Sequence, residues 1–90
     1  MPYIKPEGRT ALRRQEAFPK TAGELNFVIT DAIDDWLLEH GVSYDHINMV
    51  VGALECAKLE FYARIARPYE EIKRRENGDV YSESVLEELA

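Results

Sequence analysis

Asp31, Asp35 and Glu39 stand at i, i+4 and i+8, so on a helix three carboxylates would share one row. Like charges at that spacing cost about 0.2–0.5 kcal/mol per pair. Asp35 and Glu39 also fall toward a helix C-terminus, where the dipole disfavours anions. Relief could come from a cation such as Mg²⁺, from a basic partner, or from Arg9, Arg13 or Arg14 of the same chain. Carboxylates on a single helix enclose an ion poorly. The row is therefore read as a solvated face with intramolecular arginines nearby. No metal is assigned.

His40 and His46 flank a turn at Gly41, with Asp45 beside the second. Two histidines and a carboxylate can bind zinc or iron. Here the i, i+4 histidine pair and the Glu-x-x-His motif of di-iron bundles are both missing. His40 is expected to serve a helix terminus instead. Glu55, Lys58, Glu60 and Arg64 invite a catalytic reading. Glu55 and Lys58 at i, i+3 and Glu60 and Arg64 at i, i+4 are also ordinary helix-stabilising pairs. Glu55 and Glu60 would point roughly 140° apart, whereas catalytic carboxylates must converge. The paired Glu-x-x-Glu and Glu-x-x-Asp magnesium ligands of helical nucleotide pyrophosphohydrolases are missing from the long helices. Cys56 has no base one turn away on its face, so it reads as a small buried hydrophobe. No catalytic, cofactor or metal residue is assigned, and the reading leans to a non-enzymatic protein.

The elements that carry these residues are well marked. In a chain of 90 residues, 46% hydrophobic, one domain is expected, near the lower limit for folding alone. Thr21-Ala22-Gly23-Glu24 forms a capping box, and Leu25, Val28, Ile29, Ala32, Ile33, Trp36 and Leu37 follow at helical spacing. Gly41 supplies a left-handed stop, predicting a helix over 22–40 inside a segment 21–41. Ser43 caps a second long helix, 43–67, which Pro68 must kink or end. Residues 1–20 form an arm with a short helix from Pro6 to about Gln15. Residues 68–90 form a kinked extension, helical over Tyr69 to Glu76 and stopped at Asn77-Gly78. A second capping box at Ser84-Val85-Leu86-Glu87 starts a short terminal helix.

The second long helix is apolar on two sides. Ile47, Val50, Leu54, Ala57, Phe61 and Ile65 make one stripe, which the helix at 22–40 can cover. Met49, Gly52, Cys56, Leu59, Ala63 and Ala66 make an opposite, heptad-like seam. A copy of the same helix, antiparallel about a two-fold axis, is the simplest cover for that seam. Asn48, Glu55, Tyr62 and Tyr44 form a polar strip between the stripes, read as an inter-subunit edge or a recognition surface. The expected fold is all-α: two long antiparallel helices plus short terminal helices, paired as a homodimeric helical bundle.

Charge and composition narrow the function. The net charge is −6, with residues 1–21 at +3 and residues 22–40 at −5. An acidic chain is a poor match for a phosphate backbone, despite the basic cluster from Arg9 to Arg14. The single cysteine excludes an internal disulfide. No apolar run approaches a membrane span or a signal peptide, so a cytoplasmic protein is expected.

The chain also resembles an uncharacterised family of small helical proteins, a domain of unknown function from bacteria and phages. The resemblance rests on Met1-Pro2-Tyr3-Ile4-Lys5-Pro6-Glu7, Gly23-Glu24-Leu25-Asn26, and Gly52-Ala53-Leu54-Glu55 followed by Lys58 and Glu60-Phe61-Tyr62. Pro68-Tyr69-Glu70 and Glu76-Asn77-Gly78-Asp79-Val80-Tyr81 complete it. It implies no activity and no catalytic residue, only that the Pro68 region and the tail from Glu76 are fixed parts of the fold. A small dimeric interaction or accessory protein is the expected function. A metal-dependent hydrolase of the helical type and a nucleic-acid accessory factor are the alternatives.

Overall fold

The computed structural model describes residues 1–90, all helix and turn: α1 (Pro6–Arg13), α2 (Ala22–His40), α3 (Tyr44–Phe61), a π-helical turn (Tyr62–Ala66), α4 (Arg67–Asn77) and α5 (Glu83–Glu87). The chain divides into two compact units, Met1–Val51 and Gly52–Ala90.

In the first unit α1 packs on α2. Proline in the first turn of α1 costs nothing, because its missing amide would be unpaired there anyway. The helix stops at Arg13, two residues short of the expected Gln15. Gln15 takes φ 60°, and the Glu16 amide closes back on the Ala11 carbonyl at 2.9 Å. That 6→1 bond is a Schellman closure, with glutamine in the left-handed position glycine normally fills. Leu12 from α1 and Phe27 from α2 are the two buried hydrophobic side chains of the chain, 8% and 6% exposed. The arm before α1 lies close to the start of α2. A Cβ on Gly23 would come within 3.1 Å of the Met1 carbonyl oxygen.

The bounds of α2 agree with the apolar period, because both ends are closed by local chemistry. The Glu24 amide donates to Thr21 Oγ1 at 3.1 Å, and Glu24 Oε1 accepts from the Lys20 amide at 3.2 Å. The return bond thus reaches one residue further back than a standard capping box. At the other end Gly41 has φ 88° and ψ 160°. This corrects the expected left-handed helical stop. The conformation is the mirror image of an extended strand, a region open essentially to glycine alone. Gly78 ends α4 in the same way, at φ 87° and ψ 162°. Ser43 caps α3, accepting from the His46 amide at 3.1 Å.

The expected single α-helix through Arg67 changes register before it reaches Pro68. Over Tyr62–Ala66 the bonding becomes i→i+5, and the Arg67 amide donates to the Tyr62 carbonyl. Proline has no amide to offer and crowds the carbonyl four residues back. A wider turn absorbs both problems, and the backbone stays right-handed helical at Phe61, Ala66 and Arg67. A π turn accommodates about one extra residue, which rotates the downstream turns by roughly 100° relative to a straight α-helix. Ala66 accordingly leaves the line of the seam, and it is half-buried while Ala63 is exposed.

One further expectation is corrected. The last helix is capped by Ser82, whose Oγ accepts from the Val85 amide at 3.3 Å. The Ser84 box does not form, since Ser84 already lies inside α5. The first stripe of α3 carries exposed side chains in each unit. Ile47 is 47% exposed and Leu54 42%.

Candidate interaction surface

α3 is 18 residues long and has no buried residue. Its hydrophobic content explains why that matters. Met49, Leu54, Leu59 and Phe61 are all exposed, on both stripes, and so is Val51 between them. Gly52 has no atom within 4 Å of the position where a Cβ would stand, and Cys56 is a free, exposed thiol. In proteins most helical stability comes from packing an apolar face. The six residues expected at a dimer contact are therefore open, apart from half-buried Ala66.

The polar strip divides between the two units. Tyr44 and Asn48 are exposed in the first. In the second, Glu55 Oε1 pairs with Lys58 Nζ at 3.6 Å, and Glu60 Oε1 with Arg64 Nη1 at 3.5 Å. Both pairs are local and solvent-facing, as their spacing implied. Tyr62 lines a hollow with Tyr69, Tyr81, Leu86 and the ion-paired Arg74. Arg74 reaches Glu71 at 2.6 Å and Asp79 at 3.9 Å, while Lys73 Nζ lies 5.6 Å from the centre of the Tyr69 ring. The grouping of Tyr62 with Tyr69 and Tyr81 escaped sequence reading. It depends on the π turn and on the Asp79 turn, where Asp79 Oδ1 accepts from the Tyr81 amide at 2.9 Å.

On α2 the acidic row finds its arginine. Arg13 Nε donates to Asp31 Oδ1 at 3.0 Å, and the same guanidinium lies 5.1 Å from the centre of the Phe27 ring. Arg9 is engaged elsewhere, donating to the Ile4 carbonyl at 2.9 Å. Two of the three arginines of the basic cluster thus serve the fold of their own unit. The carboxylates that draw together are Asp31, Asp34 and Asp35, with oxygens within 4.8 Å of one another. Beside them an open hollow lined by Leu12, Phe18, Phe27 and Asp35 separates the end of α1 from α2. Asp31 is partly shielded and Arg13 is half-exposed, so the pair belongs among surface bridges. A double-mutant cycle on Arg13→Ala and Asp31→Ala, read by urea denaturation, is expected to return a coupling of about 1 kcal/mol or less.

The two histidines also serve structure. His40 Nδ1 donates to the Trp36 carbonyl at 2.9 Å, and His46 Nδ1 to the Gly41 carbonyl at 2.8 Å. Trp36 stacks on His40 at 4.3 Å between ring centres and meets the edge of His46 at 5.3 Å. The i, i+4 spacing of Trp36 and His40 was a usable signal for half of this cluster. The return of His46 across the turn was not.

These features define an all-helical protein in which α3 has no buried residue. The chain belongs to the family described as "Domain of unknown function (DUF6899)", whose model matches residues 1–80. The matched span takes in α1 through α4 and stops before α5. No curated protein and no solved structure matches the chain. No helix is long and apolar enough to cross a membrane.

Proposed function

We propose that this protein is a non-enzymatic interaction module that works as a homodimer, with α3 as its assembly helix. The observation that carries the reading is an 18-residue helix, apolar on two sides, with no residue buried by its own chain. Large exposed apolar patches mark interaction sites.

Self-association would cover the seam of Met49, Gly52, Cys56, Leu59 and Ala63. It would leave the tyrosine-lined hollow and the acidic face of α2 for a further macromolecular partner. The engagement of Arg9 and Arg13 within their own unit favours this reading over a nucleic-acid factor. Light scattering on the full chain at tens of micromolar tests it. A mass near twice 10.4 kDa is expected. A monomer at that concentration sinks the proposal.

A further inference from the structure

The corner between α2 and α3 holds the chain's two histidines. We propose that they form a binding site for a transition-metal dication that favours imidazole, of the Zn²⁺, Ni²⁺ and Cu²⁺ class. His40 is the last residue of α2, and His46 sits in the first turn of α3. They share no helix face, and it is the turn at Gly41 that brings them together. Their ring centres lie 6.1 Å apart. Both belong to the first unit, so the site needs no second copy of the chain.

The backbone selects the nitrogen that each ring offers. A carbonyl oxygen only accepts, so both Nδ1 atoms must carry the proton: His40 Nδ1 donates to Trp36 and His46 Nδ1 to Gly41. In a neutral imidazole the other nitrogen then holds a lone pair. Each ring therefore presents Nε2 as a ligand without a change of tautomer. A metal-binding histidine characteristically has this arrangement, its second nitrogen donating to a carbonyl or carboxylate that orients the ring and raises its basicity. A pair of rings side by side, both held through Nδ1, is the observation that points to an ion. Trp36 adds to the hold, stacked on one ring and edge-on to the other. Rings already ordered in this way have less freedom to lose on binding.

The spacing is within reach of a shared ion. Two Nε2 ligands at about 2.0–2.1 Å from one ion place their ring centres roughly 5–6 Å apart. The observed separation closes to that with a small tilt of the exposed His40 ring. Exposed Glu39 and Asp45, the sequence neighbours of the two histidines, give the corner a field that favours a cation. Neither completes a three-residue ligand cluster with the histidines, since the one such cluster is that of Asp31, Asp34 and Asp35. Two nitrogens leave the remaining positions of the ion to water or to a side chain of another molecule. Mg²⁺ and Ca²⁺, which take oxygen ligands, do not suit the pair.

Titration of the untagged, chelator-treated full chain with ZnCl₂, followed by calorimetry, tests the site. One ion per chain is expected, and MgCl₂ should give no response. CuCl₂ or NiCl₂ should quench the fluorescence of Trp36, the chain's single tryptophan, in a saturable way. His40→Gln and His46→Gln are each expected to lose the zinc response, with circular dichroism confirming that helix content is kept. The double variant Asp31→Asn, Asp35→Asn and the variant Cys56→Ser should both retain it. Nitrogen-15 spectra of the wild type give a readout that needs no variant, because only two histidines are present. Zinc should shift both Nε2 resonances while both Nδ1 atoms stay protonated. Absence of saturable zinc binding, or Nε2 resonances that do not move, would overturn the proposal. So would a response that survives in the histidine variants, one that is lost with Cys56 or the aspartates, or a stoichiometry of one ion per two chains. None of these readings depends on the mass in solution, so failure of the metal site and failure of the homodimer are told apart.

Discussion

Replacing Leu59 by aspartate is expected to turn the dimer into a monomer, with association weakened about 1,000-fold or more. Leu59 is 57% exposed in the single chain. The substitution therefore takes little packing from its own subunit and acts on the assembled state. Two effects add there. Each chain loses the burial of a leucine, about 1.5–3 kcal/mol. Each also places an unpaired carboxylate in an apolar seam, which costs several kcal/mol unless the helices separate. Twofold symmetry doubles the penalty. A combined loss of about 4 kcal/mol already corresponds to a 1,000-fold change in dissociation constant, and separation caps the effect. Sedimentation equilibrium across a dilution series reads it directly. Leu38→Asp is the matched control, because Leu38 is 77% exposed on α2 and lies off the seam. Its mass is expected to equal wild type. The wild type should also show a melting temperature that rises with protein concentration, and Leu59→Asp should lose that dependence. Equal masses for Leu59→Asp and wild type would remove α3 from the assembly.

Phe27→Ala is expected to be the most destabilising substitution in the first unit, by about 3–5 kcal/mol. Phe27 is one of two buried hydrophobic residues, and the Arg13 guanidinium lies over its ring. Truncation opens a cavity between α1 and α2 and removes the surface that guides Arg13 toward Asp31. A domain of this size has a total stability of roughly 5–13 kcal/mol, so the loss is a large part of the whole. Urea denaturation followed by circular dichroism measures it. Hydrogen exchange gives the local readout: amides of α1 should lose protection, since α1 rests on Leu12 and Phe27. Phe18→Ala provides the contrast. Phe18 is 82% exposed, and its removal should cost less than about 0.5 kcal/mol. Similar losses for the two phenylalanines would mean that the buried pair is not the centre of this unit.

The two substitutions act through different physics. Leu59 matters for what lies outside the chain, Phe27 for what little lies inside it. The chain has two buried hydrophobic side chains, and α3 has none. That distribution is the physical basis for reading it as an interaction module.

Much of the secondary structure could be read from the residues, and the reason is that it is locally determined. α2 runs from Ala22 to His40 because Thr21 and Glu24 satisfy its first amides and Gly41 adopts a backbone that other residues avoid. Ser43 and Gly78 act in the same way on α3 and α4. Such bonds span at most a few positions, so spacing alone reveals them. The local ion pairs of Glu55 with Lys58 and Glu60 with Arg64 were legible for the same reason. Where two local choices competed, sequence could not decide. Ser82 and Ser84 are both competent caps, and the structure uses the earlier one.

Pro68 guaranteed a disturbance in the helix, yet its form came from the fold. A π turn ahead of the proline kept the helix running where a break would also have satisfied the rule. Only the tertiary structure could select Arg13 among three arginines for Asp31, or bring His46 back against Trp36. Those contacts depend on where whole helices lie, and side-chain chemistry permits several answers. The same holds for the stripe through Ile47 and Leu54. Its period marks it for burial, but periodicity cannot name the surface that buries it.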